Sequence, residues 1–381
     1  MVKSADIVII GAGVTGAALA YTLAKRSIRA LVLERRFPAA GATGRCGGGI
    51  RQQFTTASNI RLAMGSVRLY EGLSEELDCD IEFIQGGYLV LAETEAELEL
   101  QARAVALQRG LGLPSEVLTP DQAREVFPLL DSSRIAGATF CPTDGHANPF
   151  RVVEGYLRAA TRLGARLEKG VTVVGFVRAG ERISEVVTDR GRIAVGMVVN
   201  AAGAWSREVA ALAGVELPNR PVRHEIAVTE PIDRVTDVMV ISLHSGIYFS
   251  QTVQGQILGG IGDPEEEPGY KLGSTLRFLR RYLGELVRLV PAFGQLAVMR
   301  QWAGLYDVTP DAQPVLGPTP GLGNFIQANG YSGHGFMIAP KVAEIIADYI
   351  EKGESSEDLK RLSLARFEKG KAGEGEAFVV G

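Results

Sequence analysis

Cysteine is scarce in this sequence: Cys46, Cys79 and Cys141 are the only three in 381 residues, with no C-x-x-C pair among them. An odd, scattered set excludes a disulfide framework, offers no zinc or iron–sulfur pattern, and predicts a reducing compartment. An excess of one charge is missing too, since 40 basic and 44 acidic residues leave a net charge of −4. Nothing therefore points to a nucleic-acid groove or to an anionic membrane surface. No apolar run approaches the roughly 20 residues that a membrane helix needs. No secretory signal precedes the strand pattern that begins by Asp6. Together these absences predict a cytoplasmic protein without a membrane span or a metal site. Histidine is also sparse, with His146, His224, His244 and His334 its only four, and no catalytic triad is visible.

What is present is a well-mixed globular composition, 46% hydrophobic and 22% charged, in a chain long enough for two domains. Asp6 to Ile10 is an apolar run of the kind buried on both faces of a sheet, and it leads directly into Gly11-Ala12-Gly13-Val14-Thr15-Gly16. Apolar residues then recur at Val14, Ala17, Ala18, Tyr21 and Ala24, the spacing of a helix with one packed face. A second buried strand, Ala30 to Leu33, ends on Glu34 and is followed by Arg35. Each part has a task in holding a dinucleotide. Gly11 permits the sharp turn, Gly13 lets the backbone approach a pyrophosphate, and Gly16 lets helix and strand pack closely. The helix N-terminus, with Val14 and Thr15, offers N–H groups to that pyrophosphate. Glu34 suits a ribose hydroxyl and would repel a 2′-phosphate, which disfavours NADP.

The motif alone does not separate FAD from NAD; the following loop does. Gly41-Ala42-Thr43-Gly44-Arg45-Cys46-Gly47-Gly48-Gly49-Ile50-Arg51 is a backbone able to wrap a bulky ligand, with Arg45 and Arg51 as fixed positive charges. Two later segments fit the same ligand. Val198 to Trp205 is a strand ending in small residues, with Ala201 and Gly203 letting the chain pass close to a cofactor and Trp205 beside it. Gly330-Tyr331-Ser332-Gly333-His334-Gly335-Phe336-Met337 precedes a helical pattern from about Ala339 to Ile350. It would set loop N–H groups and a helix N-terminus against a reduced flavin.

In this order the segments resemble the D-amino-acid-oxidase-like flavoprotein superfamily, and within it the sarcosine oxidase β-subunit group, which includes the β-subunits of archaeal dye-linked L-proline dehydrogenases. The likeness runs from about Asp6 to Phe367 and takes in Pro142 to Gly145, Gly259 to Gly262 and Trp302 to Asp311. It implies an α/β fold: a Rossmann-like FAD-binding domain of the glutathione-reductase type, interleaved with an α+β substrate domain on a mostly antiparallel sheet. The expected division is 1–85, 145–220 and 312–381 for FAD, and 86–144 and 221–311 for substrate. Strands are predicted at Glu225 to Thr229, Val238 to Ser242, Ile247 to Thr252 and Gln256 to Ile261. Helices are predicted near Glu93 to Arg109 and over Thr275 to Leu289, and helix then strand over Leu157 to Gly175, where Val173 would pass the adenine. The tail from Glu368, rich in Gly, Glu and Lys, reads as a loose or partner-bound end.

The resemblance also implies hydride transfer from the α-carbon of a small amino acid to flavin, leaving an imine. L-Proline is the leading substrate and sarcosine the next. Tyr248, Arg300, His334, Arg51 and His224 are the candidate catalytic side chains. Arg300 and Arg51 are offered as carboxylate partners, and packing or a structural ion pair is the competing role for Tyr248 and Arg300. The pattern departs from single-subunit sarcosine oxidases at three places. Gly304 stands where a cysteine links FAD covalently, so FAD is expected to be noncovalent. Met337 replaces a substrate-binding lysine, and Ile257 lies where a lysine promotes reaction with oxygen. These favour a dehydrogenase, with an oxygen-using oxidase and a non-catalytic flavoprotein subunit as the alternatives. His146 falls near a histidine that carries FMN in some relatives, which leaves room for FMN at a subunit interface. Other subunits of an amino-acid dehydrogenase complex are the implied partners.

Overall fold

The first strand spans Ser4–Ile10 in the computed structural model, which describes residues 3–368 and 375–376. Its last four residues are all buried, as a continuous β-branched run requires. It lies at the centre of a sheet ordered Val315–Thr319, Leu322–Asn329, Gly191–Asn200, Ser4–Ile10, Ala30–Glu34 and Arg166–Lys169. The four innermost neighbours of that path pair in parallel, and the hairpin Val173–Ala179 with Arg182–Thr188 joins it antiparallel beside Gly191–Asn200. The helix Val14–Lys25 packs on this sheet between Pro149–Arg162 and Gly335–Lys352.

The second sheet is ordered Val298–Val308, Arg220–Pro231, Gln256–Ile261, Ile247–Gln251, Met239–Ser242, Tyr88–Ala92, Gly137–Cys141 and Glu116–Leu118. Every pairing in it is antiparallel except Met239–Ser242 with Tyr88–Ala92. The helix Leu276–Leu289 lays Phe278, Tyr282, Leu286 and Leu289 into the core beneath this sheet, with Phe249 and Phe293. A short pair, Gly49–Ile50 with Gly145–His146, closes the glycine-rich loop.

Several boundaries differ from the sequence expectation, each for a local reason. The helix expected from Leu157 begins at Pro149, because Asn148 caps it by accepting from the N–H groups of Phe150 and Arg151. The strand expected over Glu225 to Thr229 spans Arg220–Pro231, since its polar ends pair along Val298–Val308. The last helix starts at Gly335 rather than Ala339 and carries Pro340 inside it. A proline cannot donate to the carbonyl four residues back; here the Tyr70 hydroxyl donates to the Phe336 oxygen at 2.7 Å instead. Most of the tail lies outside the described residues, yet Glu376 is buried, which corrects the expectation of a loose end at that position.

Candidate active site

The turn at Gly11 brings three segments together. Its φ is +107°, and a Cβ there would fall 2.4 Å from the Ala201 carbonyl oxygen. Gly16 is equally constrained, with a Cβ landing 2.0 Å from the Gly11 oxygen, so its role is packing of helix on strand. The helix N-terminus is steadied by the Thr43 hydroxyl, which accepts from the Val14 N–H at 3.1 Å. Glu34 accepts from the N–H groups of Ala12 at 3.0 Å and Arg36 at 2.7 Å, so the acid also braces the loop.

These groups border a cavity of ≈ 410 Å³, whose walls include Gly11, Gly13, Val14, Thr15, Glu34, Arg35, Thr43, Arg45, Val173, Ala201, Gly203, Trp205, Gly333 and Gly335. Two of the glycine walls are open: a Cβ at Gly203 would meet nothing within 4 Å, and one at Gly13 only the Thr43 hydroxyl. Trp205 is held between the Arg35 guanidinium, 4.7 Å from its ring, and the stacked ring of Tyr270 at 6.0 Å. A dinucleotide fits this donor set: a helix N-terminus for phosphate, a carboxylate for ribose, and an aromatic wall.

A second cavity of ≈ 70 Å³ adjoins the first, the two sharing Cys46, Tyr306, Gly333 and Phe336. Its walls add Arg51, Tyr88, Met239, Ile241, Tyr248, His334 and Met337, and none of the described residues lining it is acidic. Arg51 is only 3% exposed. It donates to the Gln53 carbonyl at 3.0 Å, its guanidinium lies 4.6 Å from the Phe54 ring, and burial lowers its pKa. Tyr248 points inward, its hydroxyl 3.1 Å from His224 Nε2. His224 in turn stacks on Tyr306, with centroids 4.5 Å apart and planes 9° from parallel. Burial pushes both His224 and His334 down to about 4, so each is neutral at pH 7. Burial raises the Cys46 thiol to about 11, which makes it a packing group rather than a thiolate.

Some expected positions lie elsewhere. Arg300 is exposed on the strand Val298–Val308, lines neither cavity, and faces the Trp302 ring at 5.8 Å; this strand is the edge of its sheet, and its first residues, Met299 among them, face solvent. Gly48, Gly49, His334 and Met337 border the small cavity and not the large one. Gly44 borders neither: a Cβ would strike Ala39 O at 2.4 Å and the Phe150 ring at 2.7 Å, so its glycine serves packing. Gly330 and Ser332 also face away. The Gly330 N–H donates to Asp307, and the Ser332 hydroxyl accepts from the Thr309 N–H, so both shape the loop from behind. His146 is buried and opens on neither cavity.

Sequence reasoning did not single out Tyr88, Tyr306, Asp144 or Asp307. Burial raises Asp144 to about 6 and Asp307 to about 7. Asp144 accepts from the Gln52 backbone and from the side chains of Gln52 and Gln53, directly behind Arg51. The one signal available was that Asp144, Tyr306 and Asp307 sit inside the ordered segments Pro142 to Gly145 and Trp302 to Asp311. Among the described residues no His, Cys, Asp and Glu group could hold a metal ion. No described helix is long and apolar enough to cross a membrane.

Comparison with known proteins gives consistent matches over nearly the whole chain. The model of the family described as "DAO: FAD dependent oxidoreductase" matches residues 6–349. Sarcosine oxidase subunit beta from Arthrobacter sp is 33% identical over 375 residues, 97% of this chain and 92% of that protein. The crystal structure of L-proline dehydrogenase from P. horikoshii superposes with a TM-score of 0.94 at 39% identity, covering 98% of this chain and 100% of that one. Glycine oxidase from Geobacillus kaustophilus gives a TM-score of 0.89 at 28% identity, covering 96% and 99%.

Proposed function

The chain belongs to the DAO family of FAD-dependent oxidoreductases, and from that premise we propose that it oxidises the C–N bond of a secondary amino acid, with L-proline first and sarcosine next. One observation carries this reading: a small cavity with a buried arginine, and no acid among the described residues of its walls, adjoins the large cavity. Arg51 receives the substrate carboxylate, and only a cation held away from water gives that contact its full strength. With no carboxylate among the described lining residues to stabilise an ammonium, the amine binds neutral, its single N–H and its lone pair facing the hydroxyls of Tyr248, Tyr88 and Tyr306. Met239 and Ile241 exclude water from the carbon chain, and the small volume rejects bulky side chains. FAD, when bound, supplies the acceptor for the hydride.

Cofactor contacts belong to the groups bordering the large cavity. Gly304 borders it without a nucleophile, which supports noncovalent FAD. Ile257 is fully buried and uncharged, so no cation on that strand position would promote reaction with oxygen, and a dehydrogenase is the better reading. The similarity to a protein named as a β subunit supports a role within a hetero-oligomer of amino-acid dehydrogenase subunits, where a second flavin, FMN, would sit at a subunit contact. The test is turnover of the FAD-loaded protein with L-proline, followed in parallel by dye reduction and by peroxide formation. Dye reduction without peroxide supports the reading; peroxide at a matching rate makes the enzyme an oxidase, and no turnover with any small amino acid removes the proposal.

A further inference from the structure

Behind Arg51 lies a carboxylate that the functional reading does not use. Glu376 is 6% exposed. It accepts from the Thr55 N–H at 3.0 Å, the Thr55 hydroxyl at 2.6 Å, the Thr56 hydroxyl at 3.4 Å and Asn59 Nδ2 at 2.9 Å. Thr56 is the N-cap of the helix Ala57–Glu71, whose end carries partial positive charge toward the carboxylate. Burying a charge is costly unless every oxygen is served, and here each oxygen is. Such a site is more than a place to tuck in a chain end.

What Glu376 holds is the continuation of the Arg51 segment. Phe54 directly precedes Thr55; its ring packs 4.6 Å from the Arg51 guanidinium and 5.7 Å from the His334 ring. The negative charge of Glu376 is felt by both Arg51 and His334. From the other side, Asp144 holds Gln52 and Gln53. The turn bearing Arg51 is thus clamped by two buried carboxylates distant in sequence, one 92 residues away and one 321.

We propose that Glu376 is a positioning residue for the substrate-carboxylate arginine, acting from behind the amino-acid pocket through Thr55 and Phe54. The proposal rests on the assignment of Arg51 to the substrate carboxylate. Glu376 fixes Thr55 and the helix start, these fix Phe54, and Phe54 sets the plane in which the guanidinium meets its ligand. Positioning and field act in opposite directions. If the charge of Glu376 mattered only through its field on Arg51, removing it would strengthen carboxylate binding; if it positions Arg51, removal weakens it.

The experiment compares full-length, FAD-loaded wild type with Glu376→Ala, Glu376→Gln and Glu376→Asp. Two readouts are taken: kcat/KM for L-proline against pyrrolidine, an amine of the same ring without the carboxylate, and the Kd of 2-furoate, a carboxylate that cannot be oxidised, from its perturbation of the flavin spectrum. The expected result is that Glu376→Ala weakens 2-furoate by about tenfold and lowers kcat/KM for proline about tenfold more than for pyrrolidine, the scale of one charge-assisted contact out of place. Glu376→Asp recovers part of both, and Glu376→Gln, which keeps the shape, falls between. Unchanged or tighter 2-furoate binding in Glu376→Ala at normal FAD content, or equal losses for proline and pyrrolidine, overturns the proposal. If wild type oxidises no amino acid, the functional reading fails, while the 2-furoate measurement still decides the role of Glu376.

Discussion

A guanidinium shut away from water must be matched by its surroundings, and Arg51 is matched by a carbonyl, an aromatic face and nearby carboxylates. Lysine offers a point charge without the planar fork. Arg51→Lys is therefore expected to raise KM for the amino acid roughly 10- to 100-fold, the equivalent of about 1.5–3 kcal/mol, with a much smaller change in FAD content; steady-state kinetics and flavin absorbance check both. The histidines give a second expectation. Because burial holds His224 and His334 down to about 4, neither changes charge between pH 5 and pH 8. The rise of kcat/KM with pH across that range should then follow the substrate's own amine, climbing about tenfold per unit as the neutral form grows. A plateau above pH 6.5 would instead assign the limb to a protein group that titrates in that range, such as Asp144, raised by burial to about 6, or Asp307, raised to about 7. The same burial has a cost in stability: a base with a depressed folded pKa contributes stability above its unfolded value, lost as pH falls through 6.5 toward 4. At this scale, the sequence offered both Arg51, at the end of a glycine-rich loop, and Arg300, in an apolar stretch, as carboxylate partners. An edge strand left Arg300 in solvent and loop closure buried Arg51, and only three-dimensional placement separates them.

At the scale of elements, the glycine-rich turns were legible because their constraint is local. Gly11 needs positive φ, which follows from the strand–turn–helix pattern, whereas its close approach to Ala201 is seen only in the structure. Gly11→Ala should leave a protein that retains little FAD, measured as flavin per polypeptide after gel filtration, because the Cβ would force the Ala201 segment away from the turn. What the pattern could not divide was the labour within a glycine run. Gly44 packs against Phe150, Gly48 and Gly49 border the small cavity, and Gly330 shapes a loop; the first three depend on distant partners or on the paired strand Gly145–His146, and Gly330 on Asp307 in the strand Val298–Val308. The last helix likewise began earlier than its apolar rhythm suggested, because its first turn is the functional loop itself and Tyr70 replaces the hydrogen bond that Pro340 cannot make.

For the whole molecule, the alternation of buried parallel runs with antiparallel stretches was visible in sequence, and the two large sheets follow from it. The long-range ties were not, since nothing local marks a pair such as Asp311 and Arg366. Arg366 Nε lies 2.8 Å from Asp311 Oδ2, both side chains almost fully buried, and the guanidinium also reaches the carbonyls of Leu362, Ser363 and Gln313. Removing one member leaves an uncompensated buried charge, so Arg366→Ala should cost roughly 3 kcal/mol or more, seen as a lower urea midpoint at unchanged slope. The proposed function joins these scales in a carboxylate-binding pocket set against a flavin site, arranged to draw hydride from a small secondary amino acid. Anaerobic titration of the FAD-loaded protein with L-proline tests it most directly. The expected result is stepwise bleaching of the flavin absorption to the fully reduced form without any added protein. A flavin that stays oxidised with proline, sarcosine and every other small amino acid would contradict it.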